Sequence, residues 1–167
     1  MTFSPRILGL ARRVIAALVQ RGLTIATAES CTGGLIAGAM TAVPGSSDAV
    51  YGGFVTYANA AKMAMIGVPE KVLDRYGAVS EKTVRAMAEG ALAKSGCNIA
   101  VAVTGIAGPG GGSEQKPVGL VFIGCATRHD TFYRELRLGD LDRNTIRMET
   151  VAAALEMILD VIAADQP

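Results

Sequence analysis

The sequence predicts an α/β protein, a single-domain α/β/α sandwich with a mixed central sheet. Strand-like and helix-like stretches alternate early in the chain, the pattern of helices packed on a sheet. Residues 98–104 (NIAVAVT) are nearly all apolar, as a strand covered on both faces must be. The last two strand-like stretches are joined by a short polar link, residues 127–130, which suits a hairpin and makes the sheet mixed.

Each element has its own signal. Residues 6–21 carry apolar side chains at a period of 3.6 and end at Gly22, a one-faced helix with a glycine stop. Residues 23–28 are short and rich in Thr and Ile, a strand. Residues 30–32 start a small-residue helix over 33–43, stopped by Pro44-Gly45. YGGFVTY at 51–57 predicts a second strand, with Asn59 capping a helix through Ile66. A helical piece covers 69–76, and Ser80 caps a longer helix whose apolar face is Val84, Met87, Ala88, Ala91 and Leu92. After the strand at 98–104, a Gly-rich loop at 105–112 leads into strands at 118–126 and 131–138. The last helix begins near Asp142.

Half of the 167 residues are apolar and 19% are charged, which supplies a core and argues against disorder. The length fits one domain over 1–167. Sixteen Lys and Arg against fifteen acids leave no basic excess of the kind that phosphate neutralisation requires, so direct nucleic-acid binding is disfavoured. Cys31, Cys97 and Cys125 are widely spaced and His129 is alone, so no recognised zinc spacing exists; reduced thiols, no metal and a cytoplasmic location are expected. The N-terminus does not read as a signal peptide, and no apolar run reaches the roughly 20 residues needed to span a bilayer.

Four segments are candidates for chemistry. TAESCTGG at 27–34 lies at a strand-to-helix junction, where helix N–H groups attract anions and Gly33 lets a ligand approach the backbone. Glu29 sits at the strand's C-terminal end, where open α/β sheets bind ligands. Ser30 or Thr32 is equally suited to plain capping, and Cys31 reads better as an inert buried thiol than as a nucleophile. PGSS at 44–47, Tyr57 and Lys62 form the second group. Placed third in its helix, Lys62 meets a macrodipole that disfavours a cation and so favours the neutral amine, the base that a serine amidase without histidine needs. Ordinary turn chemistry and a solvated lysine account for the same residues and are the better reading of this segment taken alone. In the third, Thr104, Gly105 and the following glycines form either a phosphate cradle or a surface loop, and neither a Walker A loop nor GxGxxG followed by a helix is present. In the fourth, Arg143 in the first turn of the last helix suits a phosphate or carboxylate, or is simply exposed.

Taken in order, TAESCTGG, PGSS…YGGFVTYANAAK, GAVSE and TGIAGPGGGSEQKPVG run from Thr27 to Gly119 and resemble the CinA C-terminal domain family, the nicotinamide mononucleotide deamidases. The resemblance implies hydrolysis of the carboxamide of nicotinamide mononucleotide to nicotinate mononucleotide and ammonia, without cofactor. It implies Ser47 as nucleophile, Lys62 as general base and Tyr57 as the group that positions or relays the proton. Glu29, Ser30, Thr32, Gly33, Thr104, Gly105 and Arg143 would bind the substrate, and Gly52-Gly53 would lie near the oxyanion. A large N-terminal domain found in some relatives, associated with ADP-ribose pyrophosphatase activity, has no room here, so that activity is expected to be absent. The generous apolar content suggests a homo-oligomer. A non-catalytic pyridine-nucleotide-binding regulator is the competing expectation. A role in DNA uptake rests only on the family's historical name.

Overall fold

The computed structural model describes residues 3–164. Five strands form one open sheet in the order β2-β1-β3-β4-β5. They are β1 (Ile25–Glu29), β2 (Val50–Val55), β3 (Ile99–Gly105), β4 (Leu120–Thr127) and β5 (Thr131–Arg137). β1 pairs in parallel with β2 and β3, whereas β4 and β5 run antiparallel. The expected mixed sheet and terminal hairpin are both present.

Six α-helices cover the faces: α1 (Pro5–Arg21), α2 (Leu35–Thr41), α3 (Asn59–Ile66), α4 (Glu70–Tyr76), α5 (Glu81–Ser95) and α6 (Arg143–Ala164). Helix α1 stops where the sequence says, with Gly22 left-handed at φ 62° and its N–H on the carbonyls of Leu18 and Val19. Ser80 caps α5 through the N–H of Thr83, and Asp142 caps α6 through the N–H of Thr145. The hydroxyl and N–H of Thr145 hold the Asp142 carboxyl below its ordinary range.

Side-chain alternation along each strand divides the core in two. Ile25, Val101, Val103, Ile123 and Cys125 face α1, α2 and α6. Ala28, Ala100, Ala102 and Ala126 face α3, α4 and α5. The second face is built from small residues because α5 lies close to it: a Cβ on Gly124 would stand 2.8 Å from the Val84 carbonyl oxygen. Where α5 crosses the end of α3, a Cβ on Gly90 would overlap the Ile66 carbonyl oxygen. Gly90→Ala is therefore expected to cost about 2–3 kcal/mol, read as a lower urea midpoint at unchanged slope.

This topology gathers the ends that matter. The C-terminal ends of β1, β2 and β3 share one edge of the sheet. Residue pairing of Leu120 with Arg137 brings the start of β4 and the end of β5 to that same edge. The N-terminus of α6, which follows β5, is delivered there too.

Candidate functional site

Glu29 and Ser30 are neighbours in sequence but face opposite sides of the sheet. Glu29 turns toward α2. Its Oε2 accepts from Thr32 Oγ1 (2.6 Å) and from the N–H groups of Gly34 (3.1 Å) and Ile36 (3.0 Å), and its Oε1 accepts from Ala37 N–H (2.9 Å). Four donors of the chain itself meet this fully buried carboxylate, three on Oε2 and one on Oε1. The helix start that the sequence offered to a ligand anion is thus already occupied by the chain's own. This corrects the expectation that Glu29 and Thr32 contact substrate: both are buried and spent on holding the turn. Glu29→Gln places an NH₂ among N–H donors and should cost about 2–3 kcal/mol, measured by urea unfolding.

Ser30 turns the other way, toward α3, and there it meets Lys62. Lys62 is 1% exposed. Its Nζ lies 2.8 Å from the Thr56 carbonyl oxygen, 3.1 Å from that of Tyr57 and 3.1 Å from Ser30 Oγ. Among the described residues no carboxylate pairs with it. Burial lowers its pKa below that of a free lysine. The sequence expectation of a depressed lysine is met in direction, but the cause is desolvation rather than the helix macrodipole. Ala58, not Asn59, is the N-cap of α3, which places Lys62 fourth in the helix.

The geometry accommodates both protonation states: an ammonium donates to all three oxygens, and loss of one proton, which burial favours, leaves a base facing Ser30 Oγ. An uncharged NH₂ has two N–H donors and one lone pair; the two carbonyls take the donors and leave the lone pair for the Ser30 hydroxyl proton. Ser30 is 9% exposed, so the pair sits at the wall of the molecule rather than deep within it.

Ser47 is not part of this arrangement. It lies exposed in the 3₁₀ turn Ser46–Asp48 that leads into β2, whereas Lys62 follows the strand's far end. The six residues of β2 stand between them, a separation on the order of 20 Å at ~3.3 Å per residue. The expected Ser47–Lys62 pairing is therefore corrected to Ser30–Lys62. Gly52 and Gly53 pair with Ala26 and Thr27 in mid-strand, which also removes them as donors beside Lys62.

Tyr57 holds Lys62 through its carbonyl, while its side chain, 60% exposed, turns outward. Its hydroxyl accepts from Arg143 Nη2 (3.0 Å), and Arg143 Nη1 donates to the Gly108 carbonyl (2.8 Å). Arg143 thus joins the loop after β2 to the Gly-rich loop after β3. Thr104 is buried and donates to the Ala78 carbonyl (2.7 Å), and a Cβ on Gly105 would stand 2.7 Å from Val121 Cγ2. Both pack the floor, which corrects their assignment to substrate contact. The Gly-rich loop also lines a cleft of about 750 Å³ with Val118, Arg137 and Asp140, adjoining residues 109–114 rather than the serine and lysine.

Sequence reading missed Arg147. Its Nε donates to the Cys31 carbonyl (3.0 Å) and its Nη2 to that of Thr32 (3.3 Å). Gly33, left-handed at φ 58°, lies beneath that guanidinium: a Cβ there would stand 3.5 Å from Nη2. The available signal was the four-residue spacing from Arg143, which puts both arginines on one side of the first turns of α6. Cys31 is buried and its thiol is pushed up to about 12 by desolvation, so it is inert at neutral pH, as expected. All three cysteines are free thiols. No helix among the described residues is long and apolar enough to cross a membrane.

Residues 8–162 match the family model of the CinA C-terminal domain. A CinA-like protein of Akkermansia muciniphila is 54% identical over 151 residues, 90% of this chain and 36% of that protein. A CinA-like protein of Syntrophus aciditrophicus is 48% identical over 151 residues, with the same shares of each chain. The chain spans about a third of the length of these curated relatives. Among solved structures, the competence/damage inducible protein CihA of Agrobacterium tumefaciens superposes with a TM-score of 0.94 at 53% identity, covering 96% of this chain and 98% of that one. The competence damage-inducible protein A of Klebsiella pneumoniae gives 0.92 at 35% identity, covering 96% and 99%.

Proposed function

The chain belongs to the CinA C-terminal domain family, and we propose that it is a nicotinamide mononucleotide amidohydrolase in which Ser30 is the nucleophile and Lys62 the general base. The observation that carries this reading is a buried lysine with no carboxylate partner among the described residues, 3.1 Å from a serine hydroxyl at the ligand-binding edge of an open α/β sheet.

Neutral Lys62 takes the Ser30 proton as Oγ bonds to the carboxamide carbon. The tetrahedral intermediate collapses: the lysine ammonium gives its proton to the amide NH₂ nitrogen as the carbon–nitrogen bond breaks, and the nitrogen leaves as ammonia. Water then attacks the acyl-serine, giving its proton to Lys62, which returns it to Ser30 as nicotinate mononucleotide leaves. The cationic pyridinium makes the carbon more electrophilic and repels a charged Lys62, so substrate and burial favour the same protonation state. Arg143 and Tyr57, at the mouth formed by the two loops, are the groups placed to meet the nucleotide, Arg143 with a guanidinium suited to its phosphate. The test is incubation with nicotinamide mononucleotide, following ammonia and the acid product together. Equimolar appearance of both supports the reading; tight binding with neither product overturns it.

A further inference from the structure

The turn that follows Ser30 is held from two sides, its donors by one and its carbonyls by the other. Glu29 already anchors Thr32, Gly34, Ile36 and Ala37. Arg147 reaches across from α6 to take two carbonyls of the same turn. We propose that Arg147 is a positioning residue that builds the oxyanion hole, fixing the N–H groups of Cys31 and Thr32 to receive the oxyanion formed on Ser30. The inference rests on Ser30 being the nucleophile.

Peptide planarity carries the case. The Cys31 carbonyl and the Thr32 N–H belong to one plane and point in opposite directions, so the bond from Arg147 Nε to that carbonyl aims the Thr32 N–H away from α6. The Thr32 carbonyl and the Gly33 N–H share the next plane. Arg147 Nη2 holds that carbonyl, and the Gly33 N–H donates to the Ser30 carbonyl at 3.0 Å. The Ser30 carbonyl in turn shares its plane with the Cys31 N–H. One guanidinium therefore holds two successive peptide planes directly and the plane before them through the Gly33 N–H. The N–H groups of Ser30, Gly33, Gly34, Leu35, Ile36 and Ala37 all have acceptors. That of Thr32 has none among the described residues, and that of Cys31 meets only its own thiol sulfur. Two N–H donors with no acceptor on another residue, directly after a serine at a strand–turn–helix junction, are placed as oxyanion donors are in hydrolases built on such a turn.

The experiment compares wild type with Arg147→Ala and Arg147→Lys. Ammonia release from nicotinamide mononucleotide is read as kcat and KM across pH, and Ser30 phosphonylation by a fluorophosphonate probe is followed by intact mass. Arg147→Ala is expected to lower kcat on the order of 10- to 100-fold at little change in KM, less than outright loss of a donor. The acidic limb set by Lys62 should stay in place, and phosphonylation should slow in parallel. Arg147→Lys offers one donor nitrogen where two reach separate carbonyls and should fall between, which decides the matter if the alanine variant does not fold. Unchanged kcat and phosphonylation in a folded variant overturn the proposal while leaving the amidase reading intact. An inactive wild type that is nevertheless phosphonylated at Ser30 in an Arg147-dependent way overturns the substrate assignment and upholds the positioning role. No phosphonylation of wild-type Ser30 overturns it.

Discussion

Lys62→Met is expected to lower ammonia release on the order of 10³-fold or more while the protein still folds. The side chain is isosteric enough to fill the space, but it has no proton acceptor for Ser30. Two carbonyls, those of Thr56 and Tyr57, lose a donor, at a cost of about 1–3 kcal/mol each if water does not reach them. The variant also reports the amine's protonation through stability. Burial lowers the native pKa of Lys62, whereas in the unfolded chain it stays near ~10.4. Between those two values the unfolded chain holds a proton that the native protein does not, so wild-type stability rises with pH across that window. Below the native value the contribution is lost and the curve flattens. Lys62→Met should lack this slope, so the stability difference between the two proteins widens as pH rises. Urea unfolding at several alkaline pH values measures it. Parallel stability curves for both proteins would mean that the lysine is charged in the native state, and the base would have to be sought elsewhere. The rate should follow the same group, with kcat/KM of wild type falling as pH drops through the lysine's native pKa.

The fold was legible because its signals are local or periodic. Gly22, Ser80 and Asp142 each mark a helix boundary through chemistry confined to one turn. The apolar run at 98–104 identifies the central strand through composition alone. The site was less legible because it is made by sheet order. Lys62 is fifteen residues from Ser47 and thirty-two from Ser30, yet the nearer serine in sequence is the remote one in space. A strand between two residues sends them to opposite edges, whereas parallel pairing of β1 with β2 sets Ser30 beside the backbone that follows Val55: Thr56 N–H donates to the Glu29 carbonyl at 2.8 Å. Glu29 was misjudged for a related reason. Its position at a strand end announces function, but alternation points it at α2, and only Ser30 faces the lysine. Arg147 carried no signal beyond its spacing from Arg143, because its partners are carbonyls more than a hundred residues away.

Ser30→Ala and Ser47→Ala are expected to differ by on the order of 10³-fold in kcat, with Ser30→Ala inactive and Ser47→Ala within about twofold of wild type. Ser30→Ala removes one hydroxyl from a cluster that keeps its other bonds: Lys62 still donates to both carbonyls, and the backbone of residue 30 still holds Val103 and Gly33. Its loss of activity would therefore be chemical, and an unchanged unfolding midpoint would establish that. Ser47 is exposed at the edge opposite the lysine, where removal of an unburied hydroxyl is worth less than about 0.5 kcal/mol. The contrast is sharper than either variant alone, because a general loss of fold would lower both and a mistaken substrate would leave both without a wild-type rate to compare. Full activity in Ser30→Ala with none in Ser47→Ala would require the reacting amide to sit at the start of β2, where no buried lysine of the described residues is within reach of it.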